Sequence, residues 1–140
     1  MAIQFFFLEQ SVTLTDRTAL KQFIRGIFSQ EGIHLKSLNY IFCSDDYLLN
    51  INNTHLKHNF YTDIITFNLS ETTREMEAEI YISIDRVKDN AAELGLTIKE
   101  ELHRVIFHGV LHLCGYKDKT KIDQKDIRTA EDKYLRQYFG

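Results

Sequence analysis

The 140-residue chain contains no proline and only two cysteines. Cys43 and Cys114 lie far apart in the sequence and form no C-x-x-C pair, which argues against a disulfide framework and against a thiolate zinc site. We interpret both as small buried apolar residues. No internal repeat, low-complexity stretch or proline-rich linker divides the sequence, so one domain spanning residues 1–140 is expected.

Long hydrophobic runs are also absent. No apolar segment approaches the roughly 18 residues that a membrane helix needs. The first ten residues, MAIQFFFLEQ, lack a basic n-region and a small-residue cleavage site. Residues 3–8 are therefore predicted to be a buried strand rather than a signal peptide, and the protein is expected to be cytoplasmic, with no membrane contact.

The chain has no excess of positive charge, since its formal net charge is -3. Overall attraction to nucleic acid is therefore not expected, because phosphate binding depends on lysine and arginine. A modest local excess occurs between residues 117 and 128, where five basic residues accompany three aspartates. The basic residues are Lys117, Lys119, Lys121, Lys125 and Arg128. Any contact with RNA should be local to such a segment.

Apolar periodicity predicts an α+β fold, with a small mixed four-stranded sheet packed with about five helices. The predicted strands are 3–8, 35–43, 63–69 and 79–84, and the acidic segment 71–77 is predicted to be a loop between the last two. Thr13 and Asp16 are the predicted capping pair of the first helix, and Ser44 is the predicted N-cap of the second. The third helix is predicted from about Arg86 to Gly95, and an amphipathic helix around Ile127 and Tyr138 closes the chain.

The fourth helix is predicted to be central and buried. Thr97 and Glu100 form a capping box at its start, and Gly115 ends it. The positions between them are apolar over much of the helix circumference, which is typical of a helix in the interior of a domain.

This helix also carries a predicted metal site. His108 and His112 are four residues apart, so their imidazoles project from one helix face and can converge on one ion. Gly115 permits a left-handed turn that returns Asp118 toward the same face as a third ligand. A pair of histidines at this spacing often occurs by chance, and His34 and His103 are not part of such a group of candidate ligands. The glycine and the carboxylate at these offsets favour one divalent metal ion.

The spacing H-x-x-x-H-x-x-G-x-x-ligand is shared with metzincin proteases. Those enzymes place a glutamate directly after the first histidine as general base, and here that position is Gly109. Peptide hydrolysis is therefore disfavoured. A metal ion can still activate water and polarise a phosphoryl oxygen, so phosphodiester cleavage remains open.

The segment HGVLHLCGYKD, residues 108–118, resembles the signature H-G-x-L-H-L-x-G-Y-D-H of the YbeY family of endoribonucleases. Residues 62–67, TDIITF, are similar to the family segment T-[DN]-[VI]-[LI]-[ST]-F, and residues 78–85 resemble its G-[DE]-I-x-I-[SC] strand. The resemblance covers roughly residues 35–118.

This resemblance implies a zincin-like site, with zinc as the expected ion, on a central helix beside a small mixed sheet. It also implies a metal-dependent hydrolase that cleaves single-stranded RNA in ribosomal RNA maturation and small-subunit biogenesis. The implied partners are ribosomal RNA, small-subunit proteins and assembly GTPases.

Two positions depart from the family pattern. The third ligand, usually histidine, is Asp118 here. Its carboxylate still offers an anionic oxygen to zinc, but oxygen is a harder donor atom than an imidazole nitrogen. The family usually has an arginine where this chain has Leu56, and an arginine suits bidentate phosphate binding. Lys57, His55 and His58 are the candidate replacements for that arginine.

The RNA-contact candidates are Lys57, His58, Lys117 and Lys119, and no general base is assigned. Two alternatives to the nuclease stay open at this point. One is a ribosome-assembly binding factor whose zinc is mainly structural, which the loss of the arginine favours. The other, ranked last, is a small metalloprotease.

Overall fold

A computed structural model describes residues 2–8, 12–57 and 61–140 of the chain. These residues form four strands and five helices. The strands are β1 (Ile3–Phe7), β2 (Leu35–Cys43), β3 (Ile64–Asn68) and β4 (Met76–Ser83). The helices are α1 (Arg17–Gln30), α2 (Asp45–Leu56), α3 (Ile84–Leu94), α4 (Ile98–Leu113) and α5 (Lys121–Phe139).

The strands form one mixed sheet in the order β1-β2-β4-β3. β2 is parallel to both β1 and β4, whereas β3 is antiparallel to β4. Phe5 pairs with Tyr40, Tyr40 with Ile80, and Ile80 with Thr66, so these four side chains share one face of the sheet. The predicted α+β class and the small mixed four-stranded sheet with five helices are confirmed.

The two faces of the sheet are covered unequally. The large core cluster combines apolar residues of the sheet with those of α1, α3, α4 and α5. A small second cluster of Cys43, Leu48 and Ile65 lies where α2 packs on the opposite face. The buried Tyr40 hydroxyl donates to the Ile106 carbonyl oxygen over 3.0 Å and ties β2 to the middle of α4. As predicted, α4 is central and buried.

Local capping signals explain several helix starts. The Ser44 hydroxyl accepts from the Tyr47 N–H over 3.1 Å, which confirms the predicted cap of α2. Thr97 and Glu100 form the predicted capping box of α4, each accepting from the other's backbone N–H.

Other local predictions were wrong. Asp16 precedes α1 in a left-handed conformation, with φ 52° and ψ 46°, and makes no side-chain capping bond, so the Thr13 and Asp16 capping pair is not formed. β4 begins at Met76 rather than at residue 79, because pairing with β2 extends to Leu35 and draws in part of the predicted loop. The Ser83 hydroxyl accepts from the Arg86 N–H, so α3 begins at Ile84.

The two cysteines differ in burial. Cys43 is fully buried as predicted, whereas Cys114 is only half-buried, because it is the C-cap of α4 where the chain turns toward the surface. Within the described ranges, no helix is both long enough and apolar enough to cross a bilayer.

Candidate metal centre

One face of α4 carries a polar stripe in an otherwise apolar helix. Glu101, Arg104, His108 and His112 follow one another at spacings of three or four residues, which places them along one side of the helix. Most other positions from Leu102 to Leu111 are buried and apolar. The stripe therefore brings ionisable groups next to the core, where solvent screens them poorly.

The end of α4 is shaped by Gly115, which has φ 104°. The Gly115 N–H donates to the His112 carbonyl, and the Tyr116 N–H donates to the Leu111 carbonyl, both over 3.0 Å. This pair of bonds is the Schellman arrangement, in which a left-handed residue reverses the chain after a helix. A residue with a Cβ is disfavoured at this backbone conformation, which explains the glycine.

The reversed chain also orients one histidine ring. The Nδ1 atom of His112 lies 3.0 Å from the Tyr116 carbonyl oxygen. Because a carbonyl oxygen can only accept, Nδ1 carries the proton and donates. The lone pair of the neutral ring is therefore on Nε2, the nitrogen that faces Asp118.

The three predicted ligands converge beyond this turn. His112 Nε2 lies 3.3 Å from Asp118 Oδ2, and the ring centroids of His108 and His112 are 4.5 Å apart. One donor atom from each of the three residues lies within 4.8 Å of the others. The Gln124 Nε2 amide donates to the Asp118 carbonyl oxygen over 3.0 Å, which fixes the backbone of the third residue.

The donor set fits a zinc-type ion. Two imidazole nitrogens and one carboxylate oxygen are ligands that zinc accepts, and three protein ligands are the usual number in a catalytic zinc site with one open position. The separation of 3.3 Å between His112 Nε2 and Asp118 Oδ2 is also the spacing of about 3.3 Å expected for two tetrahedral ligands at zinc bond lengths. In the described part of the chain, no other group of three such residues converges in this way. That the three residues bind an ion stays a prediction.

A buried carboxylate on α5 holds the other histidine. The Nδ1 atom of His108 contacts Glu131 Oε2, so Nδ1 donates and the Nε2 lone pair is left for an ion. Arg104 Nη1 donates to the second Glu131 oxygen over 3.1 Å, and Arg104 Nε donates to Glu101 over 2.8 Å. Glu101 and Glu131 are almost completely buried.

The charges in this network stabilise one another. Burial favours the neutral form of Glu131, but the hydrogen bonds to His108 and Arg104 and the positive charge of Arg104 outweigh it and lower the pKa of Glu131. Burial likewise opposes the charge of Arg104, yet the two glutamates raise its pKa. Glu131 is therefore an ionised acceptor for the His108 N–H.

Asp63 directly precedes β3, in the electrostatic neighbourhood of His108. Burial raises the pKa of this carboxyl, while the positive charge of Arg104 partly opposes the increase. Asp63 thus adds a carboxyl of increased proton affinity beside the predicted metal group.

Gly109 faces the sheet, away from solvent. A Cβ built on this residue would lie 2.9 Å from the Cδ1 atoms of Ile64 and Ile80. The glycine therefore allows α4 to approach β3 and β4 closely. A glutamate at this position, as in the zincin proteases, would have no space.

The predicted RNA-contact residues have different positions. Lys117 and Lys119 are exposed and flank Asp118. Lys57 is exposed at the C-cap of α2, where it has φ 56°. His58 lies outside the described residues. Leu56, at the position of the family arginine, is 40% exposed. The roles of these residues in RNA binding stay predictions.

The sequence reasoning missed Glu131, Arg104 and Glu101. A signal was present, because Glu131 is four residues after Ile127 and three before Tyr134 and so lies on the buried face of α5. A charged residue on an apolar face usually has a buried partner. The partner itself could not be named without knowing how α5 packs on α4.

Comparison with known proteins agrees with this geometry. The family model for Endoribonuclease YbeY matches residues 7–139. The Endoribonuclease YbeY of Cytophaga hutchinsonii is 49% identical over 132 residues, which cover 94% of this chain and 92% of that protein. The protein of the same name from Porphyromonas gingivalis is 44% identical, over 85% of this chain and 78% of its own length.

A solved structure shows the same fold. The solution structure of TM1509 from Thermotoga maritima superposes with a TM-score of 0.62 at 26% sequence identity, covering 98% of this chain and 90% of the other. The family match extends over nearly the whole sequence, including α4 and its partner α5. This chain therefore belongs to the Endoribonuclease YbeY family.

Proposed function

We propose that this chain is a metal-dependent endoribonuclease that cleaves single-stranded ribosomal RNA during maturation of the small ribosomal subunit. His108, His112 and Asp118 would hold one divalent ion, with zinc expected, in a single cytoplasmic hydrolase domain spanning residues 1–140. The observation that carries the proposal is the convergence of these three donors within 4.8 Å in a chain of this family.

The chain's own residues prepare the site for an RNA strand. Asp118 has a side chain that is 52% exposed, so the ligand group opens to solvent at the end of α4. Lys117 and Lys119 place positive charge on either side of it and attract the phosphate backbone. A divalent ion held there would supply Lewis acidity toward water and toward a phosphoryl oxygen.

The test is cleavage of a ribosomal RNA fragment by the purified protein, with and without a chelator. We expect cleavage that the chelator abolishes, and that zinc restores. The variant His112→Ala should lose the activity. The matched control is His34→Ala, because His34 is exposed and lies outside the ligand group. Equal cleavage by the unmodified chain, by His112→Ala and by the chelated sample would show a contaminant and overturn the proposal.

A second candidate is a ribosome-assembly binding factor with a mainly structural zinc ion. Leu56 favours this candidate, because an apolar side chain cannot bind phosphate as the usual arginine does. It predicts that chelation lowers the melting temperature strongly while RNA binding continues without cleavage products. For either role, small-subunit proteins and assembly GTPases are the proposed partners.

The metalloprotease alternative is the weakest. Gly109 supplies no base, and Ile64 and Ile80 occupy the space that a larger side chain would need. Steady casein hydrolysis that a chelator abolishes would revive this alternative.

A further inference from the structure

We infer that Glu131 is a positioning residue for the metal centre: its buried carboxylate fixes the ring orientation and the tautomer of His108. This inference rests on the proposed metal site and adds a residue on α5 to it. The contact joins two helices across 23 positions of sequence.

The first argument is the hydrogen bond itself. Glu131 Oε2 contacts His108 Nδ1, and a carboxylate can only accept, so the neutral ring must carry its proton on Nδ1. The lone pair of Nε2 is then free for an ion. A carboxylate behind a ligating imidazole also increases the basicity of the ligand.

The second argument is that Glu131 itself is held in place. Its other oxygen accepts from Arg104 Nη1 over 3.1 Å, and Arg104 is in turn bound by Glu101. Only 2% of the Glu131 side chain is exposed, so water does not compete for these bonds. The carboxylate therefore has one orientation available, and it imposes that orientation on His108.

Glu101 provides a matched comparison inside the same network. It is as buried as Glu131 and also binds Arg104, but among the described residues the carboxylate that bonds to His108 belongs to Glu131. Replacing either glutamate with glutamine removes one buried negative charge next to Arg104. Only the change at Glu131 alters the group that faces the histidine.

The experiment compares Glu131→Gln with Glu101→Gln by zinc titration against a chromophoric chelator. A glutamine amide can donate as well as accept, so it allows the unfavourable tautomer with the proton on Nε2. We expect Glu131→Gln to weaken zinc binding by about 10- to 100-fold. Glu101→Gln should bind zinc within a few-fold of the unmodified chain, even if both variants lower the melting temperature.

Nitrogen NMR of the histidine rings in the metal-free proteins gives an independent readout. In the unmodified chain, the neutral form of His108 should carry its proton on Nδ1, and Glu131→Gln should shift it toward the other tautomer. Unchanged zinc affinity in Glu131→Gln, or an equal loss in both variants, would overturn the inference. If Glu131→Gln does not fold, an Nε2-protonated His108 in the unmodified chain overturns it. Neither readout depends on RNA cleavage, so failure of the nuclease proposal is detected separately.

Discussion

His112 and Tyr116 are joined across the end of α4, where the Nδ1 atom of the imidazole lies 3.0 Å from the Tyr116 carbonyl oxygen. The residue that makes this contact possible is Gly115, whose positive φ returns the chain toward the helix. One turn therefore orients His112 and also leads to Asp118. Backbone geometry and ligand geometry are coupled at this point.

Replacing Gly115 with alanine should disturb both the backbone turn and the arrangement of the predicted ligands. With φ at 104°, an alanine would be strained by roughly 1–2 kcal/mol, so the free energy of unfolding should fall by about that amount. Relief of the strain would move Tyr116 and Asp118, and zinc affinity should decrease. Urea unfolding of the metal-free protein and a zinc titration measure the two effects.

The control for this prediction is Gly32→Ala. Gly32 follows α1 and has φ 78°, so its replacement introduces a similar strain away from the ligands. It should lower stability while leaving zinc affinity unchanged. Equal zinc affinity in the two variants would contradict the coupling between the turn and the site.

Asp118 should determine which ion the site prefers. A carboxylate oxygen is a harder donor than imidazole, so Asp118→His should increase the preference for zinc over manganese and retain tight zinc binding. Asp118→Ala removes a ligand and should weaken the binding of both ions. Competitive titration of the two metals measures the ratio, and an unchanged ratio in Asp118→His would exclude Asp118 from the coordination shell.

Gly109 should be intolerant of even a methyl group. A Cβ at this position would lie 2.9 Å from Ile64 and Ile80, so Gly109→Ala should destabilise the protein by about 1–3 kcal/mol through overpacking. Gly26→Ala is the control, because Gly26 lies within α1 and a Cβ there would meet nothing within 4 Å. That change should stabilise the helix by about 0.5–1 kcal/mol. In urea unfolding, the free energy of unfolding should decrease for Gly109→Ala and increase for Gly26→Ala. A change in the same direction for both variants would contradict the close approach of α4 to the sheet.

His103 should make stability depend on pH. It is buried, it donates to the Lys99 carbonyl over 2.7 Å, and its ring stacks on Tyr138. Burial lowers the pKa of His103, so the unfolded chain binds the proton more readily than the folded one. This contribution to stability is complete above the unfolded pKa of about 6.5 and decreases as the pH falls below it.

The measurement is the urea midpoint of the metal-free protein between about pH 7.5 and 5.5. The difference between the unmodified chain and His103→Phe should change across this range, with the unmodified chain losing more stability in acid. His34→Ala, which removes an exposed histidine, should run parallel to the unmodified chain. If the curve of His103→Phe also ran parallel to that of the unmodified chain, the assignment of this pH dependence to His103 would be wrong.

The convergence of His108, His112 and Asp118 could be predicted because its geometry is local. The four-residue spacing of His108 and His112 follows from helix periodicity, and the return of Asp118 follows from the conformational preference of one glycine. Both are properties of a short segment. The sheet and the central helix could be predicted for the same reason, from apolar patterns within each element.

The features that escaped prediction depend on contacts between distant segments. Glu131 meets His108 only because α5 packs on α4, and Met76 belongs to β4 only because β2 extends to Leu35 opposite it. Aspartate is a residue type that commonly caps helices, but Asp16 takes a left-handed backbone conformation and its side chain makes no capping bond. In the first two cases a contact between distant segments decides what the local pattern does not.

The packing of Gly109 against Ile64 and Ile80 also restricts how this scaffold could evolve. Acquiring a zincin-type glutamate would require truncating two isoleucines of neighbouring strands at the same time, and the intermediate sequences would be overpacked or would contain a cavity. The obstacle to peptidase chemistry in this fold is therefore the packing of α4 against the sheet, and not the predicted set of ligands.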